Sequence, residues 1–91
     1  MGLFLTSSLK NALSRYRRAT ANASEPQTRE DFASIATIVE RVIACLKARD
    51  TDGAQREAAA FSRRVSDSFA AQPPEFKPLA ELIGKIRRRG T

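Results

Sequence analysis

Histidine and tryptophan are absent from this chain, and cysteine, methionine and tyrosine each occur once. Without histidine, the commonest acid–base group and metal ligand is missing. A single cysteine, Cys45, cannot form an internal disulfide, so a secreted, disulfide-held scaffold is not expected. No apolar run approaches the roughly 18–20 residues that span a bilayer. Period-two alternation is also lacking, which leaves a sheet without a pattern to build it. The first 24 residues contain no acidic side chain.

What is present points to helices. Apolar residues make up 42% of the 91, too many for a disordered chain and enough for one small core. Four segments with helical spacing account for nearly the whole length. The first runs from about Ser7 to Ala21, capped by Thr6 or Ser7, with Leu9, Ala12, Leu13 and Tyr16 on one face. Asn22 to Gln27, with Pro26, reads as a break. The second helix carries the widest stripe: Phe32, Ile35, Ala36, Val39, Val42, Ile43 and Leu46, broadened by Ile38 and Cys45. Thr28 with Asp31 resembles its capping box.

Asp50-Thr51-Asp52-Gly53 is turn chemistry. A third helix should follow to about Ala71, with Ala54, Ala58, Phe61, Val65 and Phe69 inward and Arg56, Arg63 and Arg64 on or beside the outer face. Pro73 and Pro74 should end it, because proline lacks the donor and clashes with the preceding turn. Pro78 suits the first turn of a short fourth helix carrying Leu79, Leu82, Ile83 and Ile86, with Gly90 at its stop. The expected fold is all-α: an antiparallel three-helix bundle with a short C-terminal fourth helix. It is read as one domain over residues 1–91, divided into an extension (1–6), the bundle (7–71) and a Pro-containing linker with a short basic helix (72–91).

The net charge of +6 is concentrated at the two ends. Residues 1–24 hold Lys10, Arg15, Arg17 and Arg18, and residues 85–91 hold Lys85, Arg87, Arg88 and Arg89, whereas the body is nearly balanced. Basic ends suit an acidic protein, a nucleic acid or an anionic membrane surface. Nucleic acid is the less favoured of these, since no aromatic is interleaved for stacking and no groove-reading or zinc-finger signature is present.

The Ser-, Thr- and Arg-rich N-terminus has the properties of a mitochondrial transit peptide. Gly2 with Thr6 also fits the short myristoylation pattern, which with nearby basic residues would give peripheral membrane contact. The carboxylates Glu30, Asp31, Asp50 and Asp52 cluster at helix starts, where capping and the helix dipole account for them. Cys45 reads as a small buried hydrophobe. No nucleophile stands with a base, so no enzyme and no metal site are expected.

The segment Leu13-Ser14-Arg15-Tyr16-Arg17-Arg18 resembles the motif region of the LYR family, with Arg-Tyr-Arg in place of Leu-Tyr-Arg. Phe32, in Arg29-Glu30-Asp31-Phe32, stands where the LYR accessory subunits of respiratory complex I carry an aromatic. The resemblance covers roughly residues 5 to 78. It implies a small mitochondrial accessory or assembly subunit on the matrix side of the inner membrane, among neighbouring subunits of a respiratory-chain complex. It further implies an acidic acyl carrier protein as partner, bound through Arg15, Tyr16, Arg17 and Arg18. The carrier's acyl-phosphopantetheine arm would lie along Phe32, Ile35, Ile38, Val39 and Val42, with no cofactor held directly. Two other readings stand beside it: a helical adaptor or small chaperone of the bacterial cytoplasm binding a client protein, and a non-specific nucleic-acid-binding protein using both basic ends, including the patch of Lys85, Arg87, Arg88 and Arg89.

Overall fold

A computed structural model describes residues 2–68 and 71–89, with the side chains of 5–68 and 71–88. Four helices run in chain order: α1 (Gly2–Thr20), α2 (Pro26–Lys47), α3 (Thr51–Ser66) and α4 (Phe76–Arg89), with no strand among the described residues. None of these helices is long and apolar enough to cross a membrane. The all-helical expectation is met, and the fourth helix belongs to the bundle itself.

The helices close a ring. α2 packs on α1 and α3, and α4 packs on α1 and α3, with no close backbone approach between the diagonal pairs among the described residues. Residues Leu9, Leu13 and Tyr16 of α1, Ile35, Val39 and Val42 of α2, Ala58 and Phe61 of α3, and Leu79, Ile83 and Ile86 of α4 share one core. α4 therefore covers an apolar surface that three helices would leave in water. A radius of gyration of 12.5 Å is what a packed domain of this length has.

An aromatic chain links all four helices, one ring from each. Phe32 meets Tyr16 edge to face at 5.9 Å, Tyr16 meets Phe76 at 6.2 Å, and Phe76 stacks on Phe61 at 5.8 Å. These separations lie within the range of favourable ring pairs. Adjacent residues of α3 hold distant parts of α4: Phe61 stacks on Phe76, while Ser62 Oγ accepts a 2.9 Å hydrogen bond from Arg87 Nη1. Both ends of α4 thus reach the same turn of α3.

Several boundaries differ from the sequence expectation. α1 begins at Gly2, so residues 2–6 are helix, and Thr6 is buried within it where a cap was expected. α2 starts at Pro26, with Glu25 extended as its N-cap residue and no side-chain cap bond. Proline fits there because the first helical N–H has no intrahelical acceptor to lose. The capping box of Thr28 and Asp31 does not form, and Asp31 turns inward instead. α3 ends at Ser66, well before the prolines. Ser68 Oγ donates to Asp31 Oδ2 at 3.1 Å and its N–H to the Val65 carbonyl, which satisfies the chain outside a continued helix. Phe69 lies outside the described residues, as does Gly90.

The α2–α3 turn has a defined cause. Asp50 N–H bonds the Cys45 carbonyl and Arg49 N–H the Leu46 carbonyl, the paired bonds of a Schellman stop. Arg49, at φ 59°, occupies the left-handed position that glycine usually fills. Asp50 then caps α3, its Oδ1 accepting from the Gly53 N–H at 2.9 Å.

Candidate functional site

Helical spacing divides the polar face of α1 in two. Lys10, Ser14 and Arg17 fall on the flank toward α2, and Asn11, Arg15 and Arg18 fall on the outward face. All six are exposed. Arg15, Arg17 and Arg18, expected to form a docking surface, are thus exposed, and α1 itself carries no carboxylate.

Tyr16 is separated from this surface. Its side chain is wholly buried, and its hydroxyl donates to Gln72 Oε1 at 2.9 Å. Burial, the largest influence, pushes the phenol pKa upward. As a direct partner contact, Tyr16 is corrected to a core residue that holds α1 against the segment leading into α4.

The residues expected to line an acyl slot are also in the core. Phe32, Ile35, Val39 and Val42 are buried, and only Ile38 is partly exposed. The C-terminal basic patch is divided: Lys85, Arg87 and Arg88 are exposed on α4, with Arg87 bonded to Ser62. The Arg89 side chain lies outside the described residues. Cys45 is half-buried at the α2–α3 seam, where burial and then the nearby charges of Asp50 and Glu57 push its thiol pKa up. That keeps it in the less nucleophilic protonated form.

Asp31 departs furthest from its expected role. Its carboxylate accepts from Arg64 Nη2 at 2.6 Å, Ser68 Oγ at 3.1 Å and Gln27 Nε2 at 3.2 Å. Arg64, expected on or beside the outer face, closes the seam between α2 and α3.

A groove of about 490 Å³ runs between α1 and α2, walled by Lys10, Ser14 and Arg17 on one side and Glu40, Ala44 and Lys47 on the other, with Leu13 and Ile43 beneath. The antiparallel register sets its chemistry. Arg17 meets Glu40 at 2.6 Å at one end. Seven residues away on both helices, about 10 Å along the axis, Lys10 meets Lys47. The close approach of the Lys47 side chain and its charge lower the Lys10 pKa. Neither Lys10 nor Lys47 was assigned to a site from sequence. Their pairing depends on the helix register, and the only available signal was that both sit beside apolar stripe positions.

Comparison with protein-family models, curated proteins and solved structures yields no match.

Proposed function

We propose that this chain is a non-catalytic accessory subunit that docks an acidic protein through the cationic face of α1. The observation that carries this reading is the separation within one short segment: Tyr16 is fixed in the core while Arg15 and Arg18 are held outward and Arg17 pairs with Glu40 on the flank. A buried anchor on a helix gives the guanidinium groups a rigid base. Such groups form forked, charge-assisted bonds to carboxylates. Complementary charge also speeds encounter.

The resemblance to the LYR family supplies the specific partner in this reading, an acyl carrier protein. It also supplies the setting, the matrix side of the mitochondrial inner membrane within a respiratory complex. The packing of Phe32, Ile35, Val39 and Val42 favours surface docking by the arginines, since an acyl arm along these residues would have to part the bundle.

The test is calorimetric titration of the chain with apo and acylated acyl carrier protein. The expected result is salt-sensitive binding that weakens by tenfold or more in Arg15→Glu/Arg18→Glu, a loss of about 1.4 kcal/mol or more. Lack of binding by either form would refute the acyl-carrier assignment. Retained binding by the charge-reversed variant would refute the docking face.

A further inference from the structure

Two ammonium groups face each other across the groove, and the carboxylate on its wall is already engaged. We propose that the α1–α2 groove binds a small phosphate monoester, its phosphate between Lys10 and Lys47 and its organic body on Leu13 and Ile43. This inference is independent of the protein-docking reading, which rests on Arg15 and Arg18 outside the groove.

The charges favour such an anion. Like charges opposed across a surface repel, and Lys47 already disfavours the charged form of Lys10. Glu40, the one carboxylate among the described residues that line the groove, is paired with Arg17 at 2.6 Å, about two helical turns from the lysine end. A phosphate monoester carries about −1.5 to −2 charges at neutral pH and has three strong acceptor oxygens. Two ammonium groups and the Ser14 hydroxyl supply donors on both walls. A carboxylate brings only half of that charge.

The shape favours an organic body. The groove is open and its volume of about 490 Å³ leaves room for more than an inorganic phosphate. Ala44 keeps the α2 wall low, while the apolar edges of Leu13 and Ile43 form the floor between the lysine end and the Arg17–Glu40 end.

The experiment is a two-dimensional amide NMR titration of the full chain at constant ionic strength. The probes are sodium chloride, inorganic phosphate, phenyl phosphate and a neutral peptide carrying one phosphoserine. The expected result is saturable shifts at Ser14, Ala44 and Lys47, with phenyl phosphate about tenfold tighter than inorganic phosphate because its ring covers apolar floor. Lys10→Gln and Lys47→Gln should each weaken binding severalfold, about fivefold for a well-placed exposed charge contact. Arg15→Gln should bind as the unaltered chain does. Shifts that track every basic residue without saturating, or unchanged binding by both lysine variants, would overturn the site. Tighter binding of the phosphopeptide than of phenyl phosphate would overturn the small-molecule assignment. The two lysines are exposed, so their variants should fold, and circular dichroism confirms that on the same samples.

Discussion

Arg64 and Asp31 stand 33 positions apart in sequence, yet the guanidinium Nη2 lies 2.6 Å from the carboxylate Oδ1 and locks α3 to α2. The bond from Arg64 is the main reason that Asp31 stays ionised below the usual carboxylate range, helped by Gln27 and Ser68 against the opposing effect of burial. A folded pKa below the unfolded value of about 3.9 means that the contribution is present above that pH. It is lost as pH falls through the folded pKa. Asp31→Asn should therefore melt several degrees lower at neutral pH, and the gap to the unaltered chain should close in acid. Thermal melts followed by circular dichroism across that range check this, and a constant gap would refute it.

Tyr16 provides the opposite sign. Its pKa is raised in the fold, chiefly by burial, so its contribution is full below the unfolded value of about 10 and declines as pH rises toward the folded pKa. The chain has one tyrosine, so tyrosinate absorbance reports this residue alone. Ionisation should be delayed until the bundle opens, and the absorbance change should coincide with loss of helical signal. Tyr16→Phe, which removes the bond to Gln72, should cost about 1 kcal/mol by urea unfolding and abolish the absorbance step.

Two substitutions in the α2–α3 turn should reverse ordinary helix preferences. Alanine normally favours a helix over glycine by about 1 kcal/mol, but a Cβ on Gly53 would collide with the Asp50 carboxylate and come within 3.0 Å of Cys45 Sγ. Gly53→Ala should force the cap off its N–H and destabilise the chain by about 1–2 kcal/mol. Arg49→Gly should stabilise it by about 0.5–1 kcal/mol. Relief of the left-handed conformation outweighs the added freedom of the unfolded chain. Denaturant midpoints of the two variants, moving in opposite directions, would establish both signs.

Phe76 begins α4 and touches rings from both α1 and α3. Phe76→Ala should cost about 2 kcal/mol, reflecting a half-buried ring and two aromatic contacts. Hydrogen exchange should accelerate first in α4 and then along the inner stripe of α1. Uniform acceleration across all four helices would refute a special role for this ring.

The sequence reveals the helices wherever apolar spacing carries the information. Leu9, Leu13 and Tyr16, and the stripe from Phe32 to Leu46, fall inside as their period implies. Asp50 caps α3 as its residue type implies. What escapes the sequence depends on register or on a distant partner. Asp31 has the composition of a helix start and shows its role only once Arg64 and Ser68 arrive from α3. Pro26 reads equally as a break or as a first helical residue, and only the course of the chain decides. Of the candidate site, the outward arginines are legible from charge and period, whereas the Lys10–Lys47 pair appears only when α1 and α2 are set side by side.

The contact between α1 and α4 joins segments made at different times. α1 emerges before α4, yet its inner stripe is sealed on one side by Leu79, Ile83 and Ile86, which lie far downstream in the chain. Until those residues clear the ribosome, Leu9 and Tyr16 lack part of their cover. The nascent chain then exposes a basic, amphipathic helix, the kind of segment that chaperones and translocation machinery engage. Closure by α4 therefore ends this exposure only once α4 itself has been made.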